Sequence, residues 1–127
     1  MHDQYRNIEL NTAMNFFPAR FAGLFLALAA AFVRRTNLRV WPALKVMLRD
    51  AGKHRSVNAG WPEGAMAGAL DLALAGPRRY REGVVDDPWI GDGTAKATAA
   101  DIRRGLRLYV AACFVSAGFV GLLARAR

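Results

Sequence analysis

Leu108–Ala124, LYVAACFVSAGFVGLLA, runs for seventeen residues without a charged side chain. About 17 residues is the lower bound for a helix crossing the hydrocarbon core of a bilayer, so this run predicts a transmembrane helix. A second apolar run, Phe21–Val33 (FAGLFLALAAAFV), has thirteen residues. It reaches span length only when Phe16, Phe17 and Pro18 are included, with Arg20 near the edge where its stem can snorkel to the interface. The competing explanation for this shorter run is a buried core helix. Arg34, Arg35 and Arg39 follow the first run, and Arg103, Arg104 and Arg107 precede the second. By the positive-inside rule both of these ends lie on the cytoplasmic side. Residues 34–107 then form a cytoplasmic loop region between two crossing helices, although Arg125 and Arg127 add positive charge to the opposite end.

The rest of the composition agrees with a membrane chain. Its 127 residues allow one domain, and counting glycine in place of tyrosine gives about 60% apolar residues, against about 45–50% in soluble domains. The net charge is +8 and the isoelectric point about 10.8. Because the arginines flank apolar runs, the charge is assigned to a lipid bilayer and not to nucleic acid. One cysteine excludes an internal disulfide framework and a multi-thiolate zinc site. Met1–Arg20 contains Asp3 and Glu9 and lacks the order of a secretory signal, so insertion is expected to rely on the spans themselves. The expectation is an all-α, multi-pass protein of the cell (inner) membrane, residues 1–127 forming a single membrane domain.

Within residues 34–107, Trp41-Pro42 opens a helix in which Leu44, Met47, Leu48 and Ala51 share one face, and Gly52 closes it in the left-handed conformation. Lys53–Gly60 (KHRSVNAG) is a loop, its Ser, Asn and Gly favouring turns. Pro62 and Glu63 start a second helix that passes through Ala65, Met66, Ala69, Leu70, Leu72 and Leu74 and stops at Gly76-Pro77. Gly60, Gly64 and Gly68 recur every four residues, leaving one face bare so that another helix backbone can come close. Arg78–Ala97 is irregular, with only Val84-Val85 suggesting a strand. Thr98 and Asp101 form a capping box for the last helix, with Asp in the place of the usual Glu.

Several chemistries are excluded by missing motifs. There is no G-x-x-x-x-G-K-[ST], Gly91-Asp92-Gly93 is too short for a dinucleotide fingerprint, and neither H-E-x-x-H nor C-x-x-C occurs. Cys113 is read as a packing residue. His54 is different, lying between Lys53 and Arg55 with Asp50, Ser56, Asn58 and Glu63 nearby. Such a loop could bring cations to a phosphate, a carboxylate to Mg²⁺ and an imidazole to a proton in transit. It could equally be a basic face attracted to anionic lipid head groups.

Asp50–Leu70 (DAGKHRSVNAGWPEGAMAGAL) resembles the signature segment of the adenosylcobinamide-phosphate synthase family, the CobD/CbiB-type membrane proteins of cobalamin biosynthesis, where it reads approximately D-A-x-K-H-x-S-x-N-A-G-W-P-E-x-A-M-A-G-A-L. Shorter pieces agree in order. Asn15–Arg20 resembles the family's N-x-x-P-A-R, Gly76–Tyr80 its G-x-x-x-Y turn, and Pro88–Gly93 its P-x-[LI]-G stretch. The resemblance covers about Asn15 to Tyr109 and matches the C-terminal portion of a longer family domain. Just before it, Asn11 and Thr12 stand where the family commonly has two aspartates.

The resemblance implies an ATP-dependent carbon–nitrogen ligase, adenosylcobinamide-phosphate synthase, joining aminopropanol phosphate to a propionate of adenosylcobyric acid. ATP and Mg are the implied cofactors, the corrinoid is a substrate, and no tightly bound cofactor is expected. Lys53 and Arg55 would bind phosphate, with Arg20 and Arg78 as additions or as interface anchors. His54 would take a proton from the attacking ammonium, or cap Asp50 structurally. Asp50 and Glu63 would be Mg²⁺ ligands, Glu63 alternatively serving the helix dipole. Asn15, Ser56 and Asn58 would orient substrate amides or hydroxyls; Trp61, Tyr80 and Trp89 would complete the substrate surface, the tryptophans against the corrin or at head-group level. Partners would be a separate N-terminal half or other cobalamin-pathway membrane proteins; the alternative is a fragment that binds corrinoid or such a half without ligating alone.

Overall fold

The structure, a computed structural model, describes residues 2–127. Helix α1 is His2–Met14 and α2 is Phe16–Ala29, extended by a 3₁₀ turn at Ala30–Phe32. α3 is Val40–Asp50, followed by a 3₁₀ turn at Ala51–Lys53, and α4 is Gly60–Leu70. Strands β1, Leu74–Tyr80, and β2, Gly83–Ile90, form an antiparallel hairpin; α5, Ala99–Arg125, closes the chain.

The core lies where α2, α3, α4 and α5 meet, and it is built mainly from small residues: Ala27, Ala29, Ala30, Ala43, Ala65 and Ala69 with Leu26, Met47 and Leu108. Alanine-rich faces let helix axes approach closely. The bare face of α4 takes this furthest. A Cβ on Gly64 would sit 2.9 Å from Cα of Met47, and one on Gly68 would sit 2.6 Å from Cα of Ala43, both inside van der Waals contact. The four-residue glycine spacing therefore reports the α3–α4 interface, as the sequence suggested.

Chain ends of the helices are satisfied by specific groups. The buried Thr36 hydroxyl donates to the carbonyls of Ala30 and Val33 at 3.0 and 3.1 Å, closing the turn after α2. At the end of α4, Asp71 takes the left-handed conformation at φ 56°. Arg39 Nε donates to the Gly68 carbonyl at 3.1 Å and Arg104 to that of Leu70 at 3.4 Å, which would otherwise be orphaned at the helix end. The capping box at Thr98 and Asp101 is present.

Several expectations change. The fold is mostly helical and not all-α, because residues 74–90 pair as a hairpin. The α4 helix stops at Leu70, short of Gly76-Pro77, so the Gly76–Tyr80 segment is strand and not turn. Its charged residues hide the strand pattern, and Pro77 and Pro88 are tolerated because a two-stranded ribbon has open edges. Ile90 anchors the ribbon against Val46 and Ala67. Gly52 lies in the 3₁₀ turn and not in the left-handed region, which among glycines is occupied by Gly76, Gly83 and Gly91. Finally, the buried face of α3 is centred on Ala43, Val46, Met47 and Asp50, leaving Leu48 exposed.

Among the described residues one helix, α5, is by itself long and apolar enough to cross a membrane, and only Leu108 and Ala112 of it are buried. Phe114, Val120 and Leu122 face outward, each at least 60% exposed. Cys113 is likewise exposed rather than packed. The first run passes the same length and composition test only when α1 and α2 are joined, and these are bent by 43°. The bend falls at Asn15, whose amide donates to Asn11 Oδ1 at 2.6 Å and to its carbonyl at 2.9 Å.

Candidate functional site

Asp50, at the C-terminal end of α3, is fully buried, and all of its bonding capacity faces donors. Arg49 Nε and Nη2 donate to its two oxygens at 2.7 Å each. Lys53 Nζ lies 2.9 Å from Oδ1, and the Gly91 backbone N–H donates to Oδ2 at 2.8 Å. Arg49 also grips Asp92 with two bonds of 2.8 Å. The Arg49 hydrogen bonds hold the Asp50 carboxyl far below the usual carboxylate range despite its burial, with Gly91 and Lys53 adding to the effect. This cluster ties α3, the following loop and the segment after β2 into one unit.

That unit positions the loop of residues 54–59. His54 Nδ1 accepts the Ser56 backbone N–H at 2.9 Å, which places the ring proton on Nε2. Nε2 faces Glu63 Oε2, on the first turn of α4, at 3.0 Å. Lys53, His54, Arg55 and Glu63 line a cavity of about 110 Å³ with Ala75, Arg78, Asp87, Pro88 and Ile90 of the hairpin. Arg55 and Arg78 both bond Asp87, at 2.9 and 2.7 Å. Burial alone would raise the Asp87 pKa, but these two arginine bonds outweigh it and the carboxyl lies below its ordinary value. Three cations thus surround one small space whose carboxylates are Glu63 and Asp87. Its volume is below the roughly 300 Å³ of ordinary small-molecule pockets, a size that suits one phosphate-like group.

The same loop borders a second cavity of about 320 Å³, lined by Asn11, Thr12, Asn15, Ala19, Ser56, Asn58, Ala59 and Pro62. Asn58 Nδ2 donates to the Thr12 carbonyl at 2.9 Å. Its Oδ1 is buried and accepts no hydrogen bond among the described residues. The Ser56 hydroxyl accepts the Asn58 and Ala59 backbone N–H groups at 3.3 and 3.2 Å. Asn15, Ser56 and Asn58 therefore come together, beside the positions Asn11 and Thr12.

Other expected residues fall elsewhere. Arg20 Nη1 donates to the Phe16 carbonyl at 2.7 Å, with its guanidinium 3.4 Å from the Phe16 ring centroid and 4.6 Å from that of Trp61. Trp89 covers Gly76, where any Cβ would lie 2.5 Å from the indole. Tyr80 is at the hairpin tip, opposite Gly83. None of these four lines either cavity. Asp50 does not fit a Mg²⁺ ligand, because four donors already occupy its oxygens, and no group of three potential metal-binding side chains occurs among the described residues. Nor does His54 cap Asp50; Arg49, Lys53 and Gly91 do. Sequence reasoning missed Arg49, Asp87 and Asp92. The spacing of Asp50 from Ala43 and Met47, seven and three residues, was the available sign that it shares their buried face.

A family model described as CobD/Cbib protein matches residues 9–109. The chain belongs to the CobD/CbiB family. A protein of Sinorhizobium sp. with the name cobalamin biosynthesis protein CobD is 46% identical over 94% of this chain and 37% of its own length. Proteins of the same name from Rhodobacter capsulatus and Klebsiella pneumoniae are 43% and 40% identical over 94% and 95% of the chain, and over 36% and 39% of their own lengths. The chain thus spans less than two-fifths of these CobD relatives. No solved structure matches it. Both cavities are built wholly from residues inside the CobD/CbiB match, whereas α5 beyond Tyr109 lies outside it.

Proposed function

We propose that this chain works in cobalamin biosynthesis as part of an adenosylcobinamide-phosphate synthase, and that its two cavities receive the two partners of an amide ligation. The observation that carries this is the convergence of Lys53, His54, Arg55 and Glu63, all from the segment shared with the family, on one cavity with Arg78. An amine does not displace oxide from a free carboxylate at a useful rate. ATP would convert the corrin propionate to an acyl phosphate, releasing ADP. The amine nitrogen then attacks the acyl carbon, phosphate leaves, and the proton lost from nitrogen passes to a base. Aminopropanol phosphate would place its phosphate against Lys53, Arg55 and Arg78, where cationic donors also offset charge developing on phosphoryl oxygens.

In this reading the base is the His54–Glu63 pair acting as a unit. Nδ1 is engaged by Ser56, so the imidazole directs a proton at Glu63 and the carboxylate keeps the capacity to accept one. The unpaired Asn58 Oδ1, with Asn15, suits an amide N–H on the corrin periphery. The proposed setting is the cell (inner) membrane, crossed more than once, with the site on the cytoplasmic side where Arg34, Arg35, Arg103 and Arg107 gather.

Because the chain covers only 36–39% of the relatives' length, a second reading is a split or non-catalytic unit that needs the remaining segment. Mass spectrometry of membranes holding this chain, given adenosylcobyric acid, aminopropanol phosphate and Mg-ATP, tests both. The condensed amide is expected when the uncovered segment of the Sinorhizobium relative is added. Product from the chain alone makes it a complete ligase, and product under neither condition overturns the ligase assignment.

A further inference from the structure

A second cationic concavity shares no residue with the loop site. Arg34 and Arg35, in the turn after α2, and Arg103, Arg104 and Arg107, in the first three turns of α5, line a cavity of about 290 Å³ with Ala100. Arg35 is held at φ 73°, in the left-handed region that disfavours a side chain. Arg104 is paired with Asp101, whereas Arg34, Arg35, Arg103 and Arg107 have no carboxylate partner among the described residues. Guanidinium groups converging without counter-charge repel one another, and an anion between them relieves that repulsion.

The adjoining surface narrows the choice of anion. A groove of about 470 Å³ shares Arg34 and Arg107 as walls and continues along Phe32, Val33, Leu106, Val110 and Ala111. It runs from the arginines into the apolar length of α5, a helix long and apolar enough to cross a membrane. A cationic cup opening onto an apolar groove is complementary to an amphiphile with an anionic head. We propose that this surface binds one anionic phospholipid, its phosphate among Arg34, Arg103 and Arg107 and an acyl chain along Phe32, Leu106 and Val110. The inference rests on α5 lying in a bilayer and is independent of the ligase reading.

The test is displacement of an acyl-labelled fluorescent phosphatidylglycerol from the protein in an uncharged maltoside detergent. Dioleoylphosphatidylglycerol is expected to displace it at concentrations at least about 10-fold lower than dioleoylphosphatidylcholine, and inorganic phosphate at matched concentration is expected not to. Replacing Arg34 and Arg107 together by Gln is expected to weaken binding about 30-fold, at about five-fold per interfacial arginine. Val110→Trp, which fills the groove without altering charge, is expected to weaken it as well. If the double variant fails to fold, Arg103→Gln alone carries the comparison, with about a five-fold loss. Equal displacement by phosphatidylcholine, displacement by inorganic phosphate as strong as by the lipid, or unchanged binding in the variants would overturn the proposal.

Discussion

Asp50→Ala is expected to destabilise the protein by about 2–4 kcal/mol, lowering its unfolding midpoint in detergent solution by about 10 °C. The carboxylate is fully buried and receives four donors. Removing it leaves the Gly91 N–H unpaired and brings Arg49 and Lys53 together without their shared counter-ion. The loss stays below that of a wholly buried pair because the Arg49 and Lys53 side chains are 39% and 43% exposed. Asp92→Asn provides the contrast. That carboxylate is 65% exposed, so its bond to Arg49 is worth at most about 1 kcal/mol. The pH dependence has a definite sign. The folded-state pKa of Asp50 is depressed, so its stabilisation is fully present at neutral pH and declines as pH falls below about 4, the ordinary carboxylate value. Wild-type protein should therefore lose stability on acidification more steeply than Asp50→Asn.

Glu63→Gln is expected to lower the ligation rate by about 10²- to 10⁴-fold in the mixture that supports product formation, with the KM for aminopropanol phosphate little changed. Glutamine keeps the shape and the contact with His54 but cannot accept a proton. The phosphate contacts at Lys53, Arg55 and Arg78 remain, which is why rate and not affinity should suffer. Were Glu63 only a first-turn acid serving the α4 dipole, the same variant would leave the rate intact and cost less than about 1 kcal/mol of stability. Rate against KM, read as product mass over time, separates the two.

What could be read in the sequence follows from the range of each interaction. The Gly60–Gly64–Gly68 spacing and the Thr98–Asp101 cap are local patterns with one dominant physical cause, and both appear as expected. The pairing of Lys53, His54, Arg55 and Glu63 was legible because they are neighbours on a loop and the helix after it. The hairpin was not, because Arg78, Arg79, Asp86 and Asp87 break the alternation that marks a strand. Its stability comes from distant groups: Ile90 packed on Val46 and Ala67, and Asp87 held between Arg55 and Arg78. Asp50 shows the same limit. Its spacing places it on the buried face of α3, but the donors that make burial tolerable include Gly91, forty-one residues away.

The most direct measurement is calorimetric titration of the chain with aminopropanol phosphate and, separately, with aminopropanol. Saturable binding of the phosphate ester, absent for the free amine and weakened at least about 10-fold when Arg55 and Arg78 are replaced by Gln, is the expected result. Equal binding of the two compounds, or phosphate-ester binding indifferent to Arg55 and Arg78, would contradict the assignment of the Lys53–Arg55–Arg78 cavity to the substrate phosphate.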